Sequence, residues 1–93
     1  MPEEKILYKI YVKGRVQGVG FRQSCQREAR FRGIFGFVEN KPDGSVYIEA
    51  EGNINQLNEL ISWCRNRPGY GFVEDISVEA GLPFNHKSFI VRY

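Results

Sequence analysis

Along this chain the spacing of apolar residues switches from two to about 3.6 and back again, twice, which leaves few sheet-and-helix arrangements open to it. From Ile6 to Lys13 the pattern alternates, with Ile6, Tyr8, Ile10 and Val12 on one face and Leu7, Lys9, Tyr11 and Lys13 on the other, as in a half-buried strand. Arg22 to Arg32 then predicts a helix. It has helix-forming residues, sets Phe21, Cys25 and Ala29 one turn apart, and stops at Gly33, a residue suited to a left-handed cap. Phe35 to Asn40 predicts a second strand, Lys41-Pro42-Asp43-Gly44-Ser45 a turn, and Val46, Ile48 and Ala50 a third strand. Ile54, Leu57, Leu60, Ile61 and Cys64 recur at helical spacing between Gly52-Asn53, a candidate cap, and Arg67-Pro68-Gly69, a candidate stop. A second helix over 53–66 follows. Val73 to Glu79 and Ser88 to Tyr93 predict the last strands, joined by a polar loop with Pro83, Asn85, His86 and Lys87.

The order βαββαβ, with a short extra strand, predicts an α+β sandwich: two helices on one face of a mainly antiparallel four- to five-stranded sheet. A right-handed crossover makes the first two strands parallel. In the split form the third lies between them, so their C-terminal ends emerge at one edge, about 10 Å apart by strand spacing. With 93 residues, 42% of them hydrophobic, the chain suffices for one core, and residues 1–93 are expected to form a single domain. A net charge of +2 is too small to require nucleic acid or an acidic membrane as partner. The start, Met1-Pro2-Glu3-Glu4-Lys5, has no targeting character and no stretch approaches the roughly 20 apolar residues of a membrane span, so a cytoplasmic protein is expected.

Between the first strand and the first helix stands Gly14-Arg15-Val16-Gln17-Gly18-Val19-Gly20-Phe21-Arg22. Glycines there let the backbone curl so that successive N–H groups point inward, and the helix that follows adds the positive end of its dipole. Arg15, Val16, Gln17, Gly18, Val19, Gly20, Phe21 and Arg22 are therefore candidate phosphate ligands. Gly18-Val19-Gly20 alone is more often a tight turn, but Arg22 is an awkward charge at a helix start unless an anion lies there. Gln23 stands where a dinucleotide loop needs its third glycine, and no Gly-Lys-Ser/Thr follows, so the two common nucleotide loops are excluded. Asn40 closes the second strand at the same edge. By itself it is a turn residue before Lys41-Pro42; across from the loop it could hold a water. Cys25 follows the loop instead of preceding it and reads, with Cys64, as a core thiol. His86 is a lone histidine, insufficient for a metal site and expected at the surface. Trp63 reads as packing, and Arg22, Arg27, Arg30 and Arg32 as a solvated basic face.

The nine-residue loop, Gly36-Phe37-Val38-Glu39-Asn40 and Asp43-Gly44-Ser45-Val46 together strongly resemble the acylphosphatase family, nearly end to end. Glu49-Ala50-Glu51-Gly52 and the closing Phe89-Ile90-Val91-Arg92-Tyr93 share the resemblance. It implies a small ferredoxin-like fold that hydrolyses small acyl phosphates to carboxylate and inorganic phosphate, with no metal, no cofactor and no covalent phosphoenzyme. Matched onto the motif, Arg22 takes the phosphate-binding role and Asn40 the water-positioning role. A monomer without nucleic-acid or membrane partners is expected. The departure is Lys41, which replaces a hydroxyl residue that some members carry and leaves the orientation of Asn40 open. The chemistry suits such a site, because an acyl phosphate already has a good leaving group and needs mainly positioning and charge stabilisation. The alternative class is a non-catalytic anion- or carbamoyl-phosphate-binding module, like the accessory domain of hydrogenase-maturation proteins. A nucleic-acid-binding domain is weaker still, since the aromatic pattern of RNA-recognition sheets is missing.

Overall fold

The alternating and helical runs fold into the split order their spacing predicts. The computed structural model describes residues 4–66 and 71–93. Its elements are β1 (Ile6–Arg15), α1 (Phe21–Phe31), β2 (Phe35–Asn40), β3 (Val46–Gly52), α2 (Ile54–Asn66), β4 (Phe72–Gly81) and β5 (Phe89–Arg92). The sheet order is β4-β1-β3-β2-β5. β3 is antiparallel to both β1 and β2, β4 is antiparallel to β1, and β5 runs parallel to β2. This is the ferredoxin-like sandwich, with β3 between two parallel strands whose C-terminal ends meet one edge. Among the described residues no helix is long and apolar enough to cross a membrane.

The helices cover one sheet face. There Ile10, Val12, Val38, Val46, Ile48 and Ala50 meet Phe21, Cys25 and Ala29 of α1 and Leu57, Leu60 and Cys64 of α2, all buried. Each larger apolar side chain in this layer contributes roughly 1.5–3 kcal/mol relative to exposure. Where the helices begin and end follows the signals in the sequence. At the head of α2, Gln56 N–H donates to Asn53 Oδ1 and Asn53 N–H donates to Gln56 Oε1, both at 2.8 Å, a reciprocal capping box. α1 stops where Gly33 adopts φ +73° and Ile34 N–H reaches Ala29 O at 2.9 Å. The Arg67-Pro68-Gly69 stop lies outside the described residues.

Three expectations need correction. β1 does not end at Lys13: it continues to Arg15 through a register shift against β4 at Lys13/Gly14. Gly14 has φ +134°, and a Cβ on it would lie 2.5 Å from the Phe72 carbonyl oxygen, so this glycine serves a strand bulge and not the anion loop. The arginines of α1 are engaged instead of simply solvated. Arg30 Nε donates to Phe89 O at 3.2 Å, and Arg32, just past the helix, pairs with Glu28 at 3.0 Å and Glu59 at 3.4 Å.

His86 is the third. It is not a surface side chain: its Nε2 lies 2.7 Å from Glu49 Oε2, and the side chain is 14% exposed. It belongs to residues 82–88, which cross the open sheet face at the end remote from the β1 and β2 C-termini. Glu51, fully buried, holds this strap. Its Oε2 accepts the N–H groups of Phe84 and Asn85 at 2.7 and 2.9 Å, and its Oε1 accepts that of His86 at 2.7 Å. Burial works to raise the Glu51 pKa, but the three N–H donors outweigh it and hold the carboxyl below its ordinary 4.5.

Candidate active site

α1, unlike α2, begins without a cap of its own. Gly20 occupies the N-cap with φ +77° and offers no side-chain cap, and the first turn holds no acidic residue. The N-cap residue therefore supplies no capping oxygen of the kind Asn53 gives α2, at the positive end of the helix dipole, where anions bind. Gly18 has φ +73°, and a Cβ at Gly18 or Gly20 would meet nothing within 4 Å, so backbone conformation and not crowding demands these two glycines. Val16 is 2% exposed and Val19 packs on the core, anchoring the turn from below. The expected loop is thereby narrowed. Arg15 is the last residue of β1, paired with Phe72, and Val16 and Phe21 bury their side chains, so the exposed part of the turn runs from about Gln17 to Gly20.

Asn40 ends β2 opposite this turn. Its Oδ1 is buried and has no hydrogen-bond partner among the described residues. Left so, a buried acceptor costs roughly 1–3 kcal/mol, which an arriving water or ligand recovers. The hairpin behind it is tightly tied. Asp43 Oδ1 accepts from Ser45 N–H at 2.9 Å and Ser45 Oγ–H at 2.6 Å, and these bonds draw the Asp43 pKa down. Gln17 then reaches across from the loop, its Nε2 donating to both Lys41 O and Ser45 O at 2.8 Å. One side chain thus joins the anion loop to the hairpin that carries Asn40. The sequence reading counted Gln17 only for its main chain, because partners 24 and 28 residues away leave no local signal.

Lys41 turns away from this edge. Its ammonium pairs with Glu39 Oε2 at 3.0 Å and lies 5.0 Å from the centre of the Tyr47 ring, on the open face. Arg22 faces the site. Its Nη1 donates to Arg92 O at 3.1 Å, and its guanidinium carbon lies 4.7 Å from the centre of the Tyr93 ring. A guanidinium has five N–H donors, so most stay available to an anion. Val16, Gly18, Gly20, Phe21, Arg22, Gln23, Asn40 and Tyr93 line one cavity of about 260 Å³. That is below the roughly 300–1,000 Å³ of drug-sized sites and suits a small group. The sequence places Tyr93 at the end of the last strand without giving it a part in this site.

A family model described as acylphosphatase matches residues 8–91, a span that contains the whole cavity but Tyr93. The chain belongs to the acylphosphatase family. The Archaeoglobus fulgidus acylphosphatase is 43% identical over 88 residues, covering 95% of this chain and 99% of the relative. The crystal structure of the Bacillus subtilis acylphosphatase is 42% identical, with a TM-score of 0.91 over 95% of this chain and 99% of that one. T. kodakarensis HypF is 28% identical with a TM-score of 0.84, over 95% of this chain but 12% of its own length. The resemblance read from the loop and the β2–β3 hairpin is borne out, as is the ferredoxin-like sandwich. In this acylphosphatase-family chain the uncapped head of α1, Arg22 and the unpartnered Asn40 oxygen share one small cavity.

Proposed function

We propose that this chain hydrolyses the carboxyl–phosphate bond of small acyl phosphates, with Arg22 and the main chain of the loop gripping the phosphoryl group and Asn40 placing the attacking water. The observation that carries this reading is the pairing of an uncapped helix head with a buried, unpartnered Asn40 Oδ1 on one cavity. All eight lining residues belong to one sandwich, so a single domain suffices for the proposed chemistry.

The phosphoryl oxygens accept N–H groups from the loop and from the Arg22 donors not given to Arg92 O. A water donates one hydrogen to Asn40 Oδ1 and aims its oxygen at phosphorus, in line with the bond to the acyl oxygen. The new P–O bond forms as the acyl P–O bond breaks. The bonding pair leaves with the carboxylate, and the water's other proton passes to a phosphoryl oxygen. Asn40 is neutral and does not repel the dianion as a carboxylate would. Charge gathers on oxygens already facing fixed donors, and such preorganised contacts strengthen in the transition state.

The test is phosphate release from acetyl phosphate and benzoyl phosphate in excess EDTA. Release is expected, and Arg22→Ala should lower kcat/KM by on the order of 10²-fold or more, as removal of a preorganised charge stabiliser does. A folded, fully active Arg22→Ala overturns the assignment. Phosphate binding without any turnover favours the non-catalytic reading.

A further inference from the structure

We infer that the open sheet face carries a second binding site, for a small organic anion with an aromatic body, in the cavity between β5 and the strap. This cavity measures about 680 Å³, within the roughly 300–1,000 Å³ of small-molecule sites, and it shares no lining residue with the phosphate cavity. It stands without the hydrolytic reading.

The walls are apolar and largely rings. Phe84 of the strap and Ile90 of β5 line the cavity although 70% and 46% exposed, and the half-buried Phe37 joins them. His86 lies 4.7 Å from Phe84 and 5.9 Å from Phe37 between ring centres, tilted to the first and edge-on to the second. Rings pack well against other rings in such offset and edge-on contacts, which favours a flat aromatic body over a branched one.

The polar groups are arranged for a negative charge. Arg92 lies over the Phe37 ring with its guanidinium carbon 4.3 Å from the centre, an arrangement that occupies a face of the guanidinium and leaves its in-plane N–H donors for an acceptor. Its one ion-pair partner among the described residues, Glu39, gives the closer contact to Lys41 at 3.0 Å and stays 3.6 Å from Arg92, too far for a hydrogen bond. Lys87 has no ion pair among the described residues. Glu49, the one carboxylate in the lining, is already engaged at both oxygens: Oε1 accepts Tyr47 O–H at 2.9 Å, and Oε2 lies 2.7 Å from His86 Nε2. That contact holds the imidazole and leaves its Nδ1 without a partner among the described residues. The lining thus offers two cations with unused donors against one satisfied carboxylate, and an arylcarboxylate is the simplest ligand with the complementary charge and shape.

The test is a titration of the whole chain with benzoate at fixed pH and ionic strength, read from the ring-proton resonances of His86, the chain's single histidine. A saturable shift with a Kd of about 1 mM or below is expected, unchanged by saturating inorganic phosphate. Acetate, which lacks the ring, and benzamide, which lacks the charge, should each bind at least about tenfold more weakly. Arg92→Leu should weaken benzoate by about ten- to a hundredfold, as loss of hydrogen bonds from a charged group does. Lys87→Ala and Phe84→Ala alter exposed side chains, spare the fold, and should each weaken it about two- to fivefold. The absence of a saturable shift overturns the inference, as does benzoate binding that all three variants leave unaltered. Acetate or benzamide binding as tightly as benzoate overturns it by making the site a plain cationic patch or an uncharged cleft. Loss of the shift in phosphate overturns it by moving benzoate to the phosphate cavity, and a shift that grows with protein concentration alone does so by seating a second copy of the chain there.

Discussion

Truncating Gln17 to alanine should disturb the relation between the two halves of the site without removing either half. The side-chain amide gives two hydrogen bonds of 2.8 Å, to Lys41 O and Ser45 O. Neither carbonyl is orphaned by its loss, since Lys41 O also accepts Gly44 N–H at 3.1 Å and Ser45 O accepts Lys41 N–H at 2.8 Å. The cost is therefore the net worth of two bonds, roughly 0.5–1.5 kcal/mol each and about 1–3 kcal/mol together. Urea unfolding should show it as a lower midpoint at constant slope. The kinetic effect is larger in proportion. With the bridge gone, Asn40 and the loop hold their separation less closely, and a misplacement of about 1 Å costs up to roughly 10²-fold in rate. We expect kcat for acetyl phosphate to fall by about 10- to 100-fold on that basis. The inhibition constant for inorganic phosphate should change little, because the head of α1 and Arg22 are untouched. A variant that loses the stability but keeps full kcat refutes the reasoning and makes the bridge a purely structural tie. A phosphate inhibition constant that rises in step with the fall in kcat refutes it differently, by putting the Gln17 side chain in the phosphate grip.

Two further outcomes follow. Asn40→Ala should lower kcat by roughly 10²-fold while inorganic phosphate still binds; because it removes a buried unpartnered oxygen, its urea midpoint should equal or exceed that of wild type. Glu51→Gln puts an NH₂ group against a backbone donor at the strap and should cost about 1.5–3 kcal/mol near neutrality with kcat unchanged, since the strap lies at the far end of the sheet. The Glu51 pKa is depressed on folding, so the carboxylate's stabilisation is complete above its ordinary 4.5 and fades as pH falls through the folded value. Urea midpoints of Glu51→Gln and wild type should therefore draw together as pH falls from 4.5 through the lower folded value, and a gap that stays constant as pH falls counts against the strap's charge.

What was legible in the chain was what repeats locally. Period-two runs marked β1 and β3, Gly33 marked the end of α1, and Asp43-Gly44 marked the hairpin whose Asp43 oxygen indeed closes the turn. Strand order followed from those elements and handedness alone, which is why the loop and Asn40 could be set at one edge from sequence. Pairings across register were not legible. Glu51 is an ordinary solvent-facing glutamate by alternation, and only the path of residues 82–88 over that face turns it into a buried acceptor of three N–H groups. His86 was misread for the same reason, since β3 and not its own loop supplies Glu49. The contacts of Gln17 and Tyr93 escaped because each partner lies at least 24 residues away.

The missing cap of α1 means that the folded chain is completed by what it binds. A ligand that joins only the native state adds RT ln(1 + [L]/Kd) to its stability, about 2.7 kcal/mol at a hundredfold excess over Kd. On the proposed function, inorganic phosphate, the product, would fill the place that Asn53 fills for α2. Product inhibition and protection against unfolding then become one equilibrium seen from two sides, and a melting temperature that climbs with phosphate concentration measures the occupancy of the site without a single turnover.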